Sequence, residues 1–162
     1  MNLHQAVVEG KMLVDEQDLQ QYGSWLVSIW TDQTNYTCCH IWDSSISPIV
    51  YWNPGRLFLQ APAVIQVDHQ NLNPLDCRRT NMRLATSMQN AQNRGITSRN
   101  TSGYKGVTLR KKTGLYEVAI RVNKVLIFLG SVLDPAVGGK MYDEAAKKYF
   151  GEFANLNFPE QS

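Results

Sequence analysis

Val67-Asp68-His69, then Asn73-Pro74-Leu75-Asp76-Cys77-Arg78-Arg79-Thr80-Asn81-Met82-Arg83-Leu84-Ala85-Thr86, then Gln89-Asn90-Ala91-Gln92-Asn93 is the stretch that decides how this chain is read. Ile65 to His69 is a β-branched run ending in polar residues, which predicts the end of a strand. Gln70 to Arg79 is a polar loop containing Asn73-Pro74. Asn81 to Leu84 is a second short extended piece. Thr86-Ser87-Met88-Gln89 has the form of a capping box, with Thr86 as the cap and Gln89 reaching back. The helix it opens is expected to run to about Arg94, where Gly95 supplies the stop. The order is therefore strand, loop, strand, helix.

Downstream, Gly95 to Gly103 is polar and rich in Ser, Thr and Asn, which marks a boundary. A meander follows. Tyr104 to Arg110 predicts one strand and Lys111 to Gly114 a turn. Tyr116, Val118, Ile120 and Val122 alternate with Glu117, Ala119, Arg121 and Asn123, so one face of a second strand is buried and the other polar. Asn123-Lys124 turns the chain into a third strand, Val125 to Ser131. Asp134-Pro135 opens a helix, with Asp as cap and Pro at the first position. Its expected apolar face is Val137, Met141, Tyr142, Ala145 and Tyr149, and Gly151 ends it. Gly138-Gly139 inside this helix costs about 1 kcal/mol per glycine against alanine, without local compensation.

Upstream, residues 1 to 66 read as short strands and loops. Trp25 to Trp30 and Tyr36 to Trp42 are the strand candidates, and Ser44-Ser45 and Asn53-Pro54-Gly55 are turns. All four tryptophans (Trp25, Trp30, Trp42, Trp52) lie in this part and are expected mainly in the core.

Composition bounds the class. Apolar residues make up 43% and charged residues 19%, which is globular and not disordered. No apolar run is long enough to span a bilayer, and the first residues lack the basic-then-apolar pattern of a signal peptide, so no membrane partner and an intracellular location are expected. Three cysteines (Cys38, Cys39, Cys77) cannot all pair, which agrees with a reduced compartment. The modest net charge of +2 hides an asymmetry. Met1 to Gln66 holds two basic residues against six acidic ones. Arg78 to Lys124 holds eleven basic residues against one acid, Glu117. Such a block is a footprint for a polyanion, and nucleic acid is the commonest one. Arg78, Arg79 and Arg83 are accordingly expected to contact DNA.

Asp68-His69 sits at a strand end, and Asn90 on the first exposed turn of the helix that follows. Carboxylate and amide oxygens are hard donors, suited to magnesium or manganese and not to zinc. A neutral histidine beside them can take a proton from an attacking water. A divalent ion polarises a phosphodiester and steadies the departing oxygen. An isolated Asp-His pair is ordinarily just part of a polar loop, so the surrounding pattern carries the weight.

That pattern closely resembles the HNH (His-Me finger, ββα-metal) nucleases, in particular their homing-endonuclease branch. Asn81 and Asn90 stand 12 and 21 residues after His69, as that family spaces them. The resemblance implies that Asp68 and Asn90 bind the metal, that His69 is the general base, and that Asn81 braces the loop through backbone hydrogen bonds. Two positions depart from the family: Cys77 stands where asparagine is usual, and Gly55-Arg56 where a His-Arg pair is frequent. Cys38-Cys39-His40 lacks zinc-site spacing, so no zinc is expected.

The C-terminal part resembles a second family. Ser102-Gly103-Tyr104-Lys105-Gly106-Val107, Tyr116-Glu117-Val118-Ala119-Ile120, Leu129-Gly130, Tyr142-Asp143-Glu144-Ala145-Ala146 and Phe150-Gly151-Glu152-Phe153-Ala154-Asn155-Leu156-Asn157-Phe158-Pro159 are similar to the APETALA2 DNA-binding domain. In that family the sheet enters the major groove. Carried over, the groove-facing residues are Lys105, Thr108, Arg110, Ala119 and Arg121. Arg110 and Arg121 are suited to guanine edges, and Lys105 and Lys112 to phosphates. Thr108 and Ala119 differ from the charged residues usual in the plant members.

The expected fold class is α+β: a ββα-metal nuclease domain over 1–95, its metal unit at about 65–95 and N-terminal strands at 1–64. A linker at 96–102 then leads to a three-stranded antiparallel sheet packed on one helix over 103–162. The expected function is magnesium-dependent nicking of double-stranded DNA by a mobile-element endonuclease. A monomer is expected, with a dimer as the route to double-strand cuts. The competing reading is a catalytically silent nucleic-acid-binding or structural protein that keeps the same fold.

Overall fold

Asn2 accepts the Gln5 amide at 2.8 Å while the Gln5 side chain accepts the Asn2 amide at 2.9 Å, a reciprocal cap that starts the first helix. This is α1 (Leu3–Val8) in the computed structural model of the chain, which describes residues 1–31 and 37–159. Helix α2 (Glu16–Tyr22) follows Asp15 and carries two acids, Glu16 and Asp18, in its first turn, where they face the positive end of the helix dipole. Helix α3 (Pro54–Phe58) is capped by Asn53, which accepts the Arg56 amide, and has Pro54 at its start. The N-terminal region therefore holds three short helices besides its strands. Asn53-Pro54-Gly55, expected as a turn, is a helix start: the same residues serve both structures, and burial of Phe58 decides between them.

Strands β1 (Leu26–Thr31) and β2 (Thr37–Trp42) form an antiparallel pair with Leu26 opposite Trp42 and Thr31 opposite Thr37. Tyr36, expected at the start of β2, lies outside the described residues. Trp52 exchanges two backbone hydrogen bonds of 2.9 Å with Ile41, extending this sheet by one bridge. Strands β3 (Gln66–His69) and β4 (Met82–Ala85) form a second antiparallel pair. Leu3, Ala6, Met12, Val27, Cys39, Ile41, Phe58, Cys77 and Met82 build one core, against which Leu19 and Tyr22 of α2 and Val67 of β3 pack. The tryptophans divide. Trp25 packs edge-on against Tyr22 at the margin of this core, whereas Trp30 and Trp52 are exposed.

Helix α4 (Ser87–Gln92) ends two residues before the expected stop and has no buried side chain. Strands β5 (Val107–Arg110), β6 (Leu115–Val122) and β7 (Val125–Val132) form an antiparallel sheet in the order β5-β6-β7. Tyr104 to Gly106, expected within β5, is a turn, because Gly103 and Gly106 take φ of 80° and 78°. A side chain at Gly106 would also collide with the Tyr142 ring. Helix α5 (Pro135–Phe150) starts as the sequence indicates, with Asp134 accepting the Ala136 amide at 2.8 Å. Val118 and Ile120 face it and are buried.

The buried stripe of α5 is rotated from the expected one. It runs through Gly138, Gly139, Tyr142, Asp143, Ala146 and Phe150, while Val137 and Tyr149 are exposed. The two glycines explain the rotation. A Cβ at Gly138 would lie 3.0 to 3.2 Å from methyl groups of Val118, Val107 and Val132, and one at Gly139 would lie 2.8 Å from the Tyr104 ring. Missing side chains let the helix axis close onto the sheet, and that contact offsets their low helix propensity.

The chain is thus α+β, with small antiparallel sheets and a helix packed on a three-stranded sheet. It divides into two units, Met1–Ser87 and Met88–Ser162. The division falls at the start of α4, ahead of the polar stretch at 96–102. Among the described residues no helix is long and apolar enough to cross a membrane.

Candidate functional site

The entry to β3 is set by Arg56. From α3 its guanidinium donates to the carbonyls of Ile65, Ala61 and Pro62, at 2.5, 3.1 and 2.8 Å. Three fixed acceptors order the chain that leads into Gln66. Two residues on, Asp68 is 2% exposed and lies directly opposite Arg83 of β4. Arg83 donates through Nε and Nη2 to the same carboxylate oxygen, Oδ2, each at 2.8 Å. Such a partner offsets the hydration that a buried carboxylate loses.

His69 is the last residue of β3, opposite Met82, and is half-buried. Burial pushes its imidazole below the ordinary histidine value, while the Asp68 and Asp76 carboxylates pull it back up. The outcome is a ring that is neutral at pH 7 and able to accept a proton.

The loop after His69 is held from both ends by Asn81. Its Oδ1 accepts the Asn71 amide at 3.0 Å and its Nδ2 donates to the Asp76 carbonyl at 2.8 Å. Its own carbonyl accepts the Gln70 amide at 2.9 Å. Asn81 is 8% exposed, so each of these bonds is largely shielded from water. The HNH resemblance implies a bracing role for this position, and the bonds described run from Asn81 to Gln70, Asn71 and Asp76. Within the loop, Asp76 accepts from Asn71 Nδ2 at 2.8 Å and from Arg78 Nε and Nη2 at 2.7 Å. The Arg78 guanidinium holds the Asp76 carboxyl below the usual carboxylate range.

Arg78, Arg79 and Arg83 are each tied to an acid of the chain. Arg79 reaches Asp18 of α2 at 2.7 Å, and its amide donates to Asp15 at 2.7 Å. Exposure of the three side chains falls from 47% for Arg78 to 38% for Arg79 and 13% for Arg83. Cys77 is 1% exposed and part of the core; its thiol rests on the Pro74 carbonyl at 3.6 Å. The neighbouring Cys39 thiol and burial push it up, so it stays protonated and serves as packing.

Asp68, His69 and Asn81 are thus gathered in the first unit, at the mouth of one braced loop. Asn90 lies on α4 in the second unit. Carboxylate and amide oxygens are both hard donors suited to magnesium, and one of the two Asp68 oxygens accepts from Arg83. Among the described residues no group of three or more His, Cys, Asp and Glu side chains could hold a metal ion. A site with one acid and one amide is outside that description.

On the outer face of the β5-β6-β7 sheet, Thr108, Arg110 and Arg121 are exposed, as is Lys112 in the turn after β5. Arg110 pairs with Glu117 at 2.6 Å, yet its side chain remains 61% exposed. Arg121 donates only to the Lys124 carbonyl, at 3.2 Å, among the contacts described. Lys105 is placed differently. Its ammonium donates to the carbonyls of Gln92 and Arg94 at 2.8 and 2.6 Å and lies 5.9 Å from the centre of the Tyr142 ring.

Two surface features escaped the sequence reading. Leu126 and Phe128 of β7 are 60% and 61% exposed, opposite Arg121 and Ala119 on β6. Period-two patterning carried one strand further would have found them; a run of consecutive apolar residues hides which side of a strand faces water. On β1-β2, Trp30 lies edge-on to His40 at 4.8 Å, and Trp42 to Tyr51 at 5.3 Å, with Trp30 and Tyr51 exposed. No signal separates these aromatics from core ones in the sequence.

No known protein-family model matches this chain, and no curated protein matches it either.

Proposed function

We propose that the chain is a magnesium-dependent DNA endonuclease of the HNH type that nicks double-stranded DNA, as homing and mobile-element nucleases do. The observation that carries this reading is the His69 loop. A half-buried imidazole, held neutral by burial, stands beside a buried carboxylate, on a loop that Asn81 fixes at both ends. A general base must be neutral, oriented and near a phosphate-binding group; the burial of His69 and the bonded loop beside it support this reading.

In this reading His69 takes the proton of the attacking water. Asn81 keeps the loop, and hence the imidazole, in place. Asp68 and Asn90 are the residues that would hold magnesium, which when bound supplies charge to polarise the phosphodiester and steady the leaving oxygen. The exposed Arg110 and Arg121, with Lys112, contact the duplex through the outer face of the sheet. One site cuts one strand, so a monomer nicks and a dimer or two visits would break both strands.

A specific observation favours the second reading, a catalytically silent nucleic-acid-binding protein: Arg83 already neutralises Asp68. Cleavage of supercoiled plasmid with and without magnesium, in wild type and His69→Ala, separates the two. Relaxed circles that require magnesium and fall by about 100-fold or more in the variant support the nuclease. Intact DNA binding with no nicking by wild type on varied substrates supports the binder.

A further inference from the structure

We infer that Lys105 is a positioning residue that pins helix α4 to the three-stranded sheet unit, and that it acts through α4 on Asn90. The part concerning Asn90 rests on the nuclease reading; the pin itself does not.

Helix α4 has six residues, no buried side chain and no basic residue in its last turn. A helix this short is unstable by itself. A helix end leaves carbonyls that its own turns cannot satisfy, and the negative end of the dipole favours a cation. Lys105, thirteen residues beyond Gln92, supplies one. Its Nζ donates at 2.8 Å to the Gln92 carbonyl, in the last turn, and at 2.6 Å to the Arg94 carbonyl just beyond.

The lysine itself is anchored. Its amide donates to Asn157 Oδ1 at 2.6 Å, and its carbonyl accepts from Asn157 Nδ2 at 3.2 Å. Asn157 in turn is held by the buried Asp143 of α5, which accepts the Asn157 amide at 2.8 Å and its side chain at 3.0 Å. The lysine's charged end lies over Tyr142, also of α5, whose ring fills the space beside Gly106. A chain of fixed contacts thus leads from α5 through Lys105 to the C-terminal end of α4. An ammonium engaged by two carbonyls in this way is poorly placed to serve as a phosphate contact as well.

The test uses the full chain with Lys105→Met, which keeps the aliphatic stem, and Lys105→Arg, which keeps the charge. Amide exchange is read at Asn93, whose amide donates to the Gln89 carbonyl, and at β6-β7 as a control for folding. The expected result is that Lys105→Met speeds exchange at Asn93 by about tenfold, the effect of losing charged hydrogen bonds, and that Lys105→Arg restores most of the protection. Duplex affinity and its salt slope stay unchanged, while the turnover of magnesium-dependent nicking falls and KM for DNA does not. Unchanged exchange at Asn93 together with a lowered salt slope would overturn the proposal and make Lys105 a phosphate contact. If wild type does not nick, the nuclease reading fails, and the exchange result still decides the pin. If Lys105→Met loses the β6-β7 protection, Lys105→Gln, whose amide can still donate to one carbonyl, replaces it, with intermediate protection at Asn93 expected and wild-type protection counting against the pin.

Discussion

The arginines of the two units have the same side chain and opposite surroundings. In the first unit, Arg78, Arg79 and Arg83 each face an acid that is itself at most 3% exposed. In the second, Arg110 and Arg121 stand on an open sheet face, and the acid beside Arg110, Glu117, is partly exposed too. A guanidinium opposite a buried carboxylate offsets the hydration that carboxylate loses, and removing it takes that compensation away. A guanidinium on an open face contributes little to stability and keeps its donors for an incoming phosphate or base. Positive charge counted along a chain is therefore not the positive charge a ligand meets.

This contrast can be broken most decisively at Arg83. Arg83→Ala is expected to destabilise the fold by about 3 kcal/mol in urea unfolding, because the buried Asp68 carboxylate loses its guanidinium. A cost within experimental error would mean that the carboxylate finds another partner, and the contrast would lose its strongest member. Arg79→Ala is expected to cost about 2 kcal/mol, less because its side chain is more exposed, with Asp18 as the stranded acid. On the sheet the ranking inverts. Arg121→Ala should change stability by no more than about 0.5 kcal/mol but weaken duplex binding by roughly tenfold, the scale of one base-edge contact. Equal loss of affinity from Arg79→Ala, in a variant shown to be folded, would erase the distinction between the units.

Salt dependence sharpens the same point with smaller effects. Each of Arg110→Ala and Arg121→Ala should lower the slope of log affinity against log salt by up to about one if the side chain meets a phosphate. Arg78→Ala, Arg79→Ala and Arg83→Ala should leave it unchanged. The smallest effect concerns acid. Arg78 holds the Asp76 carboxyl below its ordinary value, so this pair's stability is fully present above the unfolded carboxylate pKa of about 3.9 and is lost as pH falls through the lower folded value. Arg78→Ala should raise that folded value and move the onset of acid unfolding to higher pH. An acid limb that does not move would show that other carboxylates govern it.

Some features were legible because they are local. The Asp134-Pro135 helix start, the alternation of β6 and the strand-loop-strand order around Asp68 and His69 all depend on neighbours in sequence, and the structure has them where the residues indicate. Asn81 was singled out by resemblance alone, and in the structure it bonds to Asn71 and Asp76 of the loop. Other features were not legible. Arg83 and Asp68 are fifteen residues apart and meet only because of the β3-β4 register, while Arg79 and Asp18 are separated by sixty-one residues. Lys105 reads in sequence as one more surface lysine of a basic block, and its two carbonyl partners depend on where α4 ends.

The sequence by itself determined the α+β class, the sheet and capped helix of the C-terminal part and the strand-loop-strand order around Asp68 and His69. These are set by side-chain type, period and local capping, which act over a few residues. Only the tertiary structure decided which cations are engaged and which remain exposed, which face of α5 is buried around Gly138 and Gly139, and what holds α4. Those outcomes depend on partners distant in the chain, brought to within 3 Å by packing that no local pattern encodes.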